Sequence, residues 1–203
     1  ALLMSHDLGP ATAKKIIDHY GDDALRVVTT QPYKLARDVH GIGFKKADQI
    51  ALSQRIGRDA PERVRAGVLH QLQQLQREGH CAAPRDVIRQ EAAKLLLVQD
   101  HTIDREIDRL LEDGEFVADR VGAREVIYDK RTREREIAVA DLLTERARAD
   151  FDLTRAAADL DALVGAAASA VGIQLHGAQV QAVRIALASG ACAITGGPGT
   201  GKT

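Results

Sequence analysis

The chain contains the stretch His40-Gly41-Ile42-Gly43-Phe44-Lys45-Lys46-Ala47-Asp48-Gln49-Ile50, and a second copy of its pattern, His6-Asp7-Leu8-Gly9-Pro10-Ala11-Thr12-Ala13-Lys14-Lys15-Ile16, lies 34 residues earlier. In register, the two copies share an apolar residue, a glycine, an alanine and an isoleucine: Leu8 and Ile42, Gly9 and Gly43, Ala13 and Ala47, Ile16 and Ile50. Each copy therefore predicts a tight glycine turn followed by an amphipathic helix, and the repetition predicts two such units in tandem.

Both copies resemble the helix-hairpin-helix motif, in which G-h-G is followed by x-x-x-A-x-x-I. The second copy carries Gly41-Ile42-Gly43 intact, whereas Asp7 replaces the leading glycine of the first. Glycine lets the backbone approach a ligand closely, and the N–H groups that begin the next helix face an anion. We therefore predict contacts with the DNA backbone at Gly9, Lys14, Lys15, Gly41, Gly43, Lys45 and Lys46. The alternative is that the turns only join packed helices and the lysines are solvated.

Composition limits how the chain can bind nucleic acid. Its formal net charge is −1, aromatic residues make up 3% and Trp is absent, so neither a general polycation nor a large stacking platform is expected. Residues 1–58 carry nine basic and six acidic side chains, a modest local excess. Two cysteines outside any paired motif suit a reducing compartment, and no signal peptide or membrane span is expected. The chain is predicted to be cytoplasmic.

The middle of the chain predicts a small α+β module. The spacing of apolar and turn residues indicates three helices, at residues 63–76, 84–97 and 102–113. It also indicates a β-hairpin around Gly122, with strands at residues 115–119 and 124–128. Thr102 is predicted to cap the third helix. This order is typical of a winged-helix-like module. Because the third helix is rich in acidic residues, a spacer or interaction role is favoured over DNA reading.

The last residues read Gly196-Gly197-Pro198-Gly199-Thr200-Gly201-Lys202-Thr203, a G-x-x-x-x-G-K-T phosphate-binding loop. Ala191–Thr195 is predicted to be the strand that precedes it, and Gln179 lies on a helix predicted at residues 177–189. The predicted fold is mainly α in three parts. These are tandem helix-hairpin-helix at 1–58, a helical, winged-helix-like module at 59–150, and the incomplete start of a RecA-like P-loop α/β domain at 151–203.

In order, these pieces resemble a RecD-like superfamily 1 DNA helicase of the long form. Further matching residues are Tyr20-Gly21, Gln31-Pro32-Tyr33-Lys34-Leu35-Ala36, Arg63, Ala66-Gly67 and Gly79-His80. The resemblance implies a hydrolase that couples ATP to 5′-to-3′ movement along single-stranded DNA in repair or recombination. It also implies two RecA-like domains, of which the chain carries only the beginning, so we expect these 203 residues neither to hydrolyse ATP nor to unwind DNA.

The same resemblance assigns the nucleotide site. Gln179 would read adenine, Lys202 would stabilise the γ-phosphate as the catalytic lysine, and Thr203 would hold Mg²⁺ through the nucleotide. The loop residues Gly197, Pro198, Gly199, Thr200 and Gly201 would position the phosphates. Partners would be single-stranded or forked DNA and a repair or replication protein, with no membrane. Two alternatives stay open: a DNA-binding accessory module, or a protein-interaction module with no catalytic role.

Overall fold

The computed structural model describes residues 9–149 and 159–199, which belong to two compact units, 1–133 and 134–203. His6, Asp7 and Leu8 of the first repeat and Thr200, Gly201, Lys202 and Thr203 of the predicted loop lie outside the described residues. The described elements are α1 (Pro10–Tyr20), α2 (Ala24–Thr30), α3 (Pro32–Asp38), α4 (Phe44–Ser53), α5 (Pro61–Arg77), β1 (Ala82–Ala83), α6 (Arg85–Leu96), α7 (Asp100–Glu112), β2 (Phe116–Val121), β3 (Arg124–Asp129), α8 (Lys130–Arg148), α9 (Leu160–Ala170) and α10 (Gly177–Ala188).

The four helices α1 to α4 form the tandem hairpin region, with a 3₁₀ turn at Gly21–Asp23 between α1 and α2. Its core contains the two isoleucines that the repeat places in register, Ile16 and Ile50, together with Val28 and Leu35. All four side chains are almost fully buried. The apolar spacing within each copy therefore marks the residues around which the two hairpins pack.

Residues 61–129 form a second layer, in which α5, α6 and α7 pack against a three-stranded antiparallel sheet of order β1-β3-β2. The predicted hairpin around Gly122 is present, with Ala118 opposite Ile127. The strand β1 was not predicted because its two residues are too few to show an alternating pattern. Helices followed by this hairpin agree with the element order expected for a winged-helix-like module.

Two predicted helix ends can be compared with the structure. The helix predicted at residues 63–76 is α5, which ends at Arg77 and is followed by Gly79 with φ +97°. The prediction that Thr102 caps α7 is wrong. The helix begins at Asp100 with Gln99 as its N-cap residue, and the Thr102 N–H donates to the Gln99 carbonyl at 3.0 Å. An aspartate in the first turn is favourable to the helix dipole, which extends the helix beyond the threonine.

A buried ion pair joins the hairpin region to α5. Arg63 is 4% exposed and binds both carboxylate oxygens of Asp48 on α4, at 2.9 and 3.0 Å. Its remaining nitrogen donates to the carbonyls of Arg58 and Leu96. Phe44 at the start of α4 is buried in the core of the second layer rather than in the hairpin core. The ion pair and Phe44 together connect the two layers within this unit.

The structure describes residues 134–149 and 159–199 of the second unit. Val164 and Ala168 of α9 are its buried residues among those described, and Arg184 of α10 forms an ion pair with Asp161 of α9. The predicted strand Ala191–Thr195 is wrong: these residues are irregular. A strand needs a neighbour for its backbone groups, and the described part of this unit contains no other strand. No described helix meets the length and hydropathy needed to cross a membrane.

Gly67 is the contact point between α5 and α6, and we expect Gly67→Ala to destabilise the protein. A methyl group there would lie 2.6 Å from two atoms of the buried Leu96 side chain. Overpacking of this kind costs roughly 1–3 kcal/mol. Urea denaturation measures the loss, and Gly165→Ala on α9, where the methyl meets open space, is the control. Equal stability of the two variants would contradict this view of the α5–α6 contact.

The Asp48–Arg63 pair gives a second stability prediction. Asp48→Asn replaces one acceptor oxygen with an amide nitrogen facing a guanidinium donor and leaves a buried arginine unpaired, a loss of roughly 3 kcal/mol. The control is Asp23→Asn, which breaks the exposed Asp23–Arg26 pair and should leave the unfolding midpoint unchanged. A similar midpoint for both variants would show that the buried pair does not stabilise the joint.

Candidate nucleic-acid interface

The two glycines that precede α1 and α4 have the same local structure. Gly9 and Gly43 are both extended, with ψ angles of 153° and 172°. The carbonyl of Gly9 accepts N–H groups three and four residues later at 2.9 and 3.1 Å, and the carbonyl of Gly43 does so at 3.1 Å each. Added side-chain carbons would meet open space at both glycines. The repeat therefore builds two equivalent helix N-termini with no side chain in front of them.

The two N-termini differ in how many amides they offer. The first N–H groups of a helix have no partner within it and form a natural anion site. In α4 these include the amides of Phe44 and Lys45. In α1 the first residue is Pro10, which has no N–H, so the amide of Ala11 is the first available. The second hairpin is thus the stronger candidate for binding a phosphate.

Contacts between the copies hold the two N-termini beside each other. Thr12 and Lys46 occupy the same position in the two copies, and the Lys46 ammonium donates to the Thr12 hydroxyl at 2.8 Å. The Lys15 ammonium donates to the His40 carbonyl, in the second hairpin, at 3.3 Å. Gly41 has φ +85°, and a side-chain carbon there would lie 2.9 Å from the Lys15 nitrogen. The positive φ favours glycine at this position, whereas the ammonium at the end of the flexible Lys15 side chain could move aside.

The structure separates the predicted lysines into two kinds. Lys14, Lys15 and Lys45 are exposed, so their charges are available to a ligand near the helix starts. Lys46 is half-buried and bonded to Thr12, which gives it a role in joining the hairpins that the sequence did not indicate. The repeat alignment places Thr12 and Lys46 at equivalent positions, but equivalence in a repeat does not by itself predict a contact.

The hairpins are fixed by tyrosine hydroxyls at two further points. Tyr20, at the end of α1, donates to Asp38 at the end of α3 over 2.9 Å. Burial, and the neighbouring Asp38 carboxylate, raise the pKa of Tyr20 to about 12. Tyr33 on α3 donates to Asp48 on α4 at 2.7 Å, and burial and Asp48 raise its pKa as well. Both tyrosines therefore stay protonated donors at neutral pH and orient the helices around the second turn.

Acidic residues of α7 form ion pairs with arginines. Arg85 of α6 contacts Asp104 and Asp108 at 3.1 and 2.6 Å, and Arg89 also binds Asp104. Buried Glu106 binds Arg65 and Arg109. These pairs explain why the helix is acidic without any ligand, and they favour the structural interpretation of this module over DNA reading.

The residues predicted to hold a nucleotide lie in the second unit. The side-chain oxygen of Gln179 accepts the His176 N–H at 2.8 Å, and these two residues form a capping box at the start of α10. Gly197 and Pro198 are exposed, Pro198 and Gly199 form a turn, and Gly199 has φ +75°. The structure thus gives Gln179 a capping role, and the nucleotide roles of Gln179 and the loop stay predictions.

One known family matches the part of the chain that carries the hairpins. Residues 1–82 match the family described as the ATP-dependent RecD2 DNA helicase HHH domain. The match covers both copies of the repeat and α5, and it ends at Ala82, the first residue of β1. Residues 1–82 are therefore similar to the helix-hairpin-helix domain of such helicases. The β2–β3 hairpin and the second unit lie beyond the matched residues.

His70 of α5, which packs against Phe44 of the second hairpin, makes the stability of the protein depend on pH. Its ring stacks on Phe44 with centroids 5.2 Å apart. Burial, and then the charges of Arg77 and Lys45, lower the pKa of His70 below its ordinary 6.5. The unfolded chain therefore binds this proton at a higher pH than the folded one, so stability is full above 6.5 and falls as the pH drops toward the folded pKa.

We expect His70→Gln to flatten the pH dependence of unfolding between pH 7.5 and 5. Urea midpoints of both proteins across this range measure the effect. The other histidines are common to both proteins, so only the difference in slope reports on His70. An unchanged slope would mean that protonation of this ring does not oppose folding.

Proposed function

We propose that this chain supplies the DNA-holding N-terminal region of an ATP-dependent DNA helicase, and that the second hairpin is its main phosphate contact. The observation that carries the proposal is the pair of equivalent helix N-termini held together by the Lys46–Thr12 bond. The match of residues 1–82 to the RecD2 helicase domain supports the same assignment. The parent enzyme would act in DNA repair or recombination, with single-stranded or forked DNA as its substrate.

The second hairpin would bind DNA chiefly through backbone amides. A phosphate oxygen at the start of α4 would accept hydrogen bonds from the Phe44 and Lys45 N–H groups, and the helix dipole would stabilise its charge. Gly43 has no side chain, so the phosphate can approach this closely. Such contacts read no bases and give binding that is independent of sequence. They also explain how a chain of net charge −1 can hold a polyanion.

The exposed lysines would add a limited electrostatic term. Lys14, Lys15 and Lys45 stand around the two helix starts. Each phosphate neutralised by a cation contributes about −0.7 to −0.9 to the slope of log affinity against log salt. Three lysines would therefore give a slope of about −2 to −3. A shallow dependence of this size separates the hairpin mode from binding by a basic patch.

The predicted nucleotide-binding residues are assigned from the sequence motif. Gly197 to Thr203 would form the phosphate loop of a superfamily 1 motor, with Lys202 at the γ-phosphate and Thr203 at Mg²⁺. The positive φ of Gly199 suits a loop whose backbone curls around phosphates. Bound ATP would supply the free energy for movement along DNA. Reading adenine with both amide atoms would require Gln179 to give up its bond to the His176 N–H.

A protein-interaction role is the second candidate, and α8 favours it. This helix has no buried residue among those described, and it exposes Ile137, Val139, Leu142 and Leu143. Exposed aliphatic side chains on a long helix could pack against a helix of a partner protein. In this alternative the hairpins would be scaffold and would show no affinity for DNA.

The test is fluorescence-anisotropy binding of labelled single-stranded, duplex and forked DNA to the wild-type chain and to glycine variants. Gly43→Ala adds a methyl group without a clash in the free protein and blocks the phosphate approach, so we expect affinity for all three DNAs to fall by about tenfold or more, as for loss of a hydrogen bond to a charged group. Gly9→Ala should weaken binding less, because Pro10 has already removed one amide.

The matched control is Gly165→Ala, which also adds a methyl to open space and should bind DNA like the wild type. Measurements at two salt concentrations give the slope. Wild-type levels of binding by Gly43→Ala would rule out the second hairpin as the phosphate contact. Absence of DNA binding by the wild-type chain would favour the interaction module.

A further inference from the structure

A cleft separates the second hairpin from α5. It has a volume of about 920 Å³ and lies within the first unit. One wall is formed by α3, the turn containing Gly41 and Gly43, and Phe44, and the other by α5 with His70 and Arg77. Its size is within the range of roughly 300–1,000 Å³ that small-molecule sites occupy. The glycines predicted to contact phosphate in the second hairpin therefore line a cleft that is open to solvent on one side.

Three of the residues that line this cleft have flat rings that stack on one another. Tyr33 and Phe44 lie 6.0 Å apart with an interplanar angle of 17°, and Phe44 and His70 lie 5.2 Å apart at 20°. Phe44 in the middle is 4% exposed, whereas Tyr33 and His70 are half-buried. The Tyr33 ring is held by its bond to Asp48. His70 is thus the terminal ring of a fixed stack at the cleft wall, an arrangement on which a nucleobase can stack.

The charges around the cleft leave two cations unpaired. Arg37 pairs with Asp38 and Arg65 pairs with Glu115, so these four lining residues neutralise one another. Lys34 and Arg77 also line the cleft, are exposed and form no ion pair within the described residues. Glu62 is the remaining carboxylate of the lining. An anionic group is therefore favoured near Lys34 and Arg77.

We propose that this cleft holds one nucleotide of single-stranded DNA, with its base against the His70 ring and its phosphate at the Gly41–Gly43 turn between Lys34 and Arg77. The inference rests on the proposed function, because it extends the phosphate contact of the second hairpin. A paired base is stacked within its duplex and cannot enter the cleft. The cleft would therefore give the hairpins a preference for single strands that backbone contacts alone do not provide.

The absence of Trp from the chain allows a direct test. His70→Trp places one fluorophore in the cleft, and Val121→Trp places one on the exposed end of β2 as the control. We expect a thymidine oligonucleotide to quench the emission of His70→Trp and to leave Val121→Trp unchanged, while a blunt duplex quenches neither. Equal quenching of both variants, or of neither, would overturn the proposal. Quenching of His70→Trp by thymidine monophosphate at the same concentration would assign the cleft to a free nucleotide instead.

The ratio of the affinity for single-stranded DNA to that for duplex DNA tests the cleft separately from the hairpin contact. His70→Ala should lower affinity for single-stranded DNA about tenfold, the loss of one stacked base, and leave duplex affinity unchanged. Gly43→Ala should lower both. His70→Phe keeps a flat ring and should restore single-strand binding, and its recovery shows that the fold is intact. An unchanged single-strand to duplex ratio in His70→Ala overturns the cleft while leaving the hairpin contact standing. Failure of the wild-type chain to bind any DNA overturns both.

Discussion

The buried contact between Arg63 and Asp48 is the constraint on which the first unit depends. The guanidinium is shared among α4, the loop before α5 and the end of α6, through the Asp48 carboxylate and the carbonyls of Arg58 and Leu96. A buried arginine is costly unless its donors are satisfied, so each of these partners has to be in place before the charge is tolerated. The pair therefore fixes how the hairpin region is set against α5.

The origin of this joint is visible in how the two repeat copies differ. Asp48 stands at the position of Lys14, and Phe44 stands at the position of Pro10. In the first copy these residues are exposed, whereas in the second they bind Arg63 and enter the core around α5. The shared residues Ile16 and Ile50 pack in the hairpin core. The divergent residues Asp48 and Phe44 attach the second hairpin to α5.

Local patterns account for what the sequence predicted well. Ile16 and Ile50 could be assigned to the core from their spacing, and Gly79 and Gly122 marked the end of a helix and a tight turn. Contacts between residues distant in the chain account for most of what the sequence did not show. Arg63 was expected on a helix but gave no sign of its burial, because its partners are 15 and 33 residues away. The strand expected at Ala191–Thr195 depended on a neighbour that no single segment can specify.

The candidate site follows the same division. Gly41 and Gly43 were predictable because their conformation is a local property, and the repeat indicated two such turns. The stack of Tyr33, Phe44 and His70 was not, since it forms only once Arg63 has brought α5 against α4. A phosphate site needs its amides fixed before the ligand arrives, because ordering them on binding would cost affinity. The buried ion pair that sets α5 against the second hairpin therefore also sets the cleft beside the proposed phosphate contact. In the proposed function, fixed geometry would in this way compensate for the low net charge and the few aromatic residues of the chain.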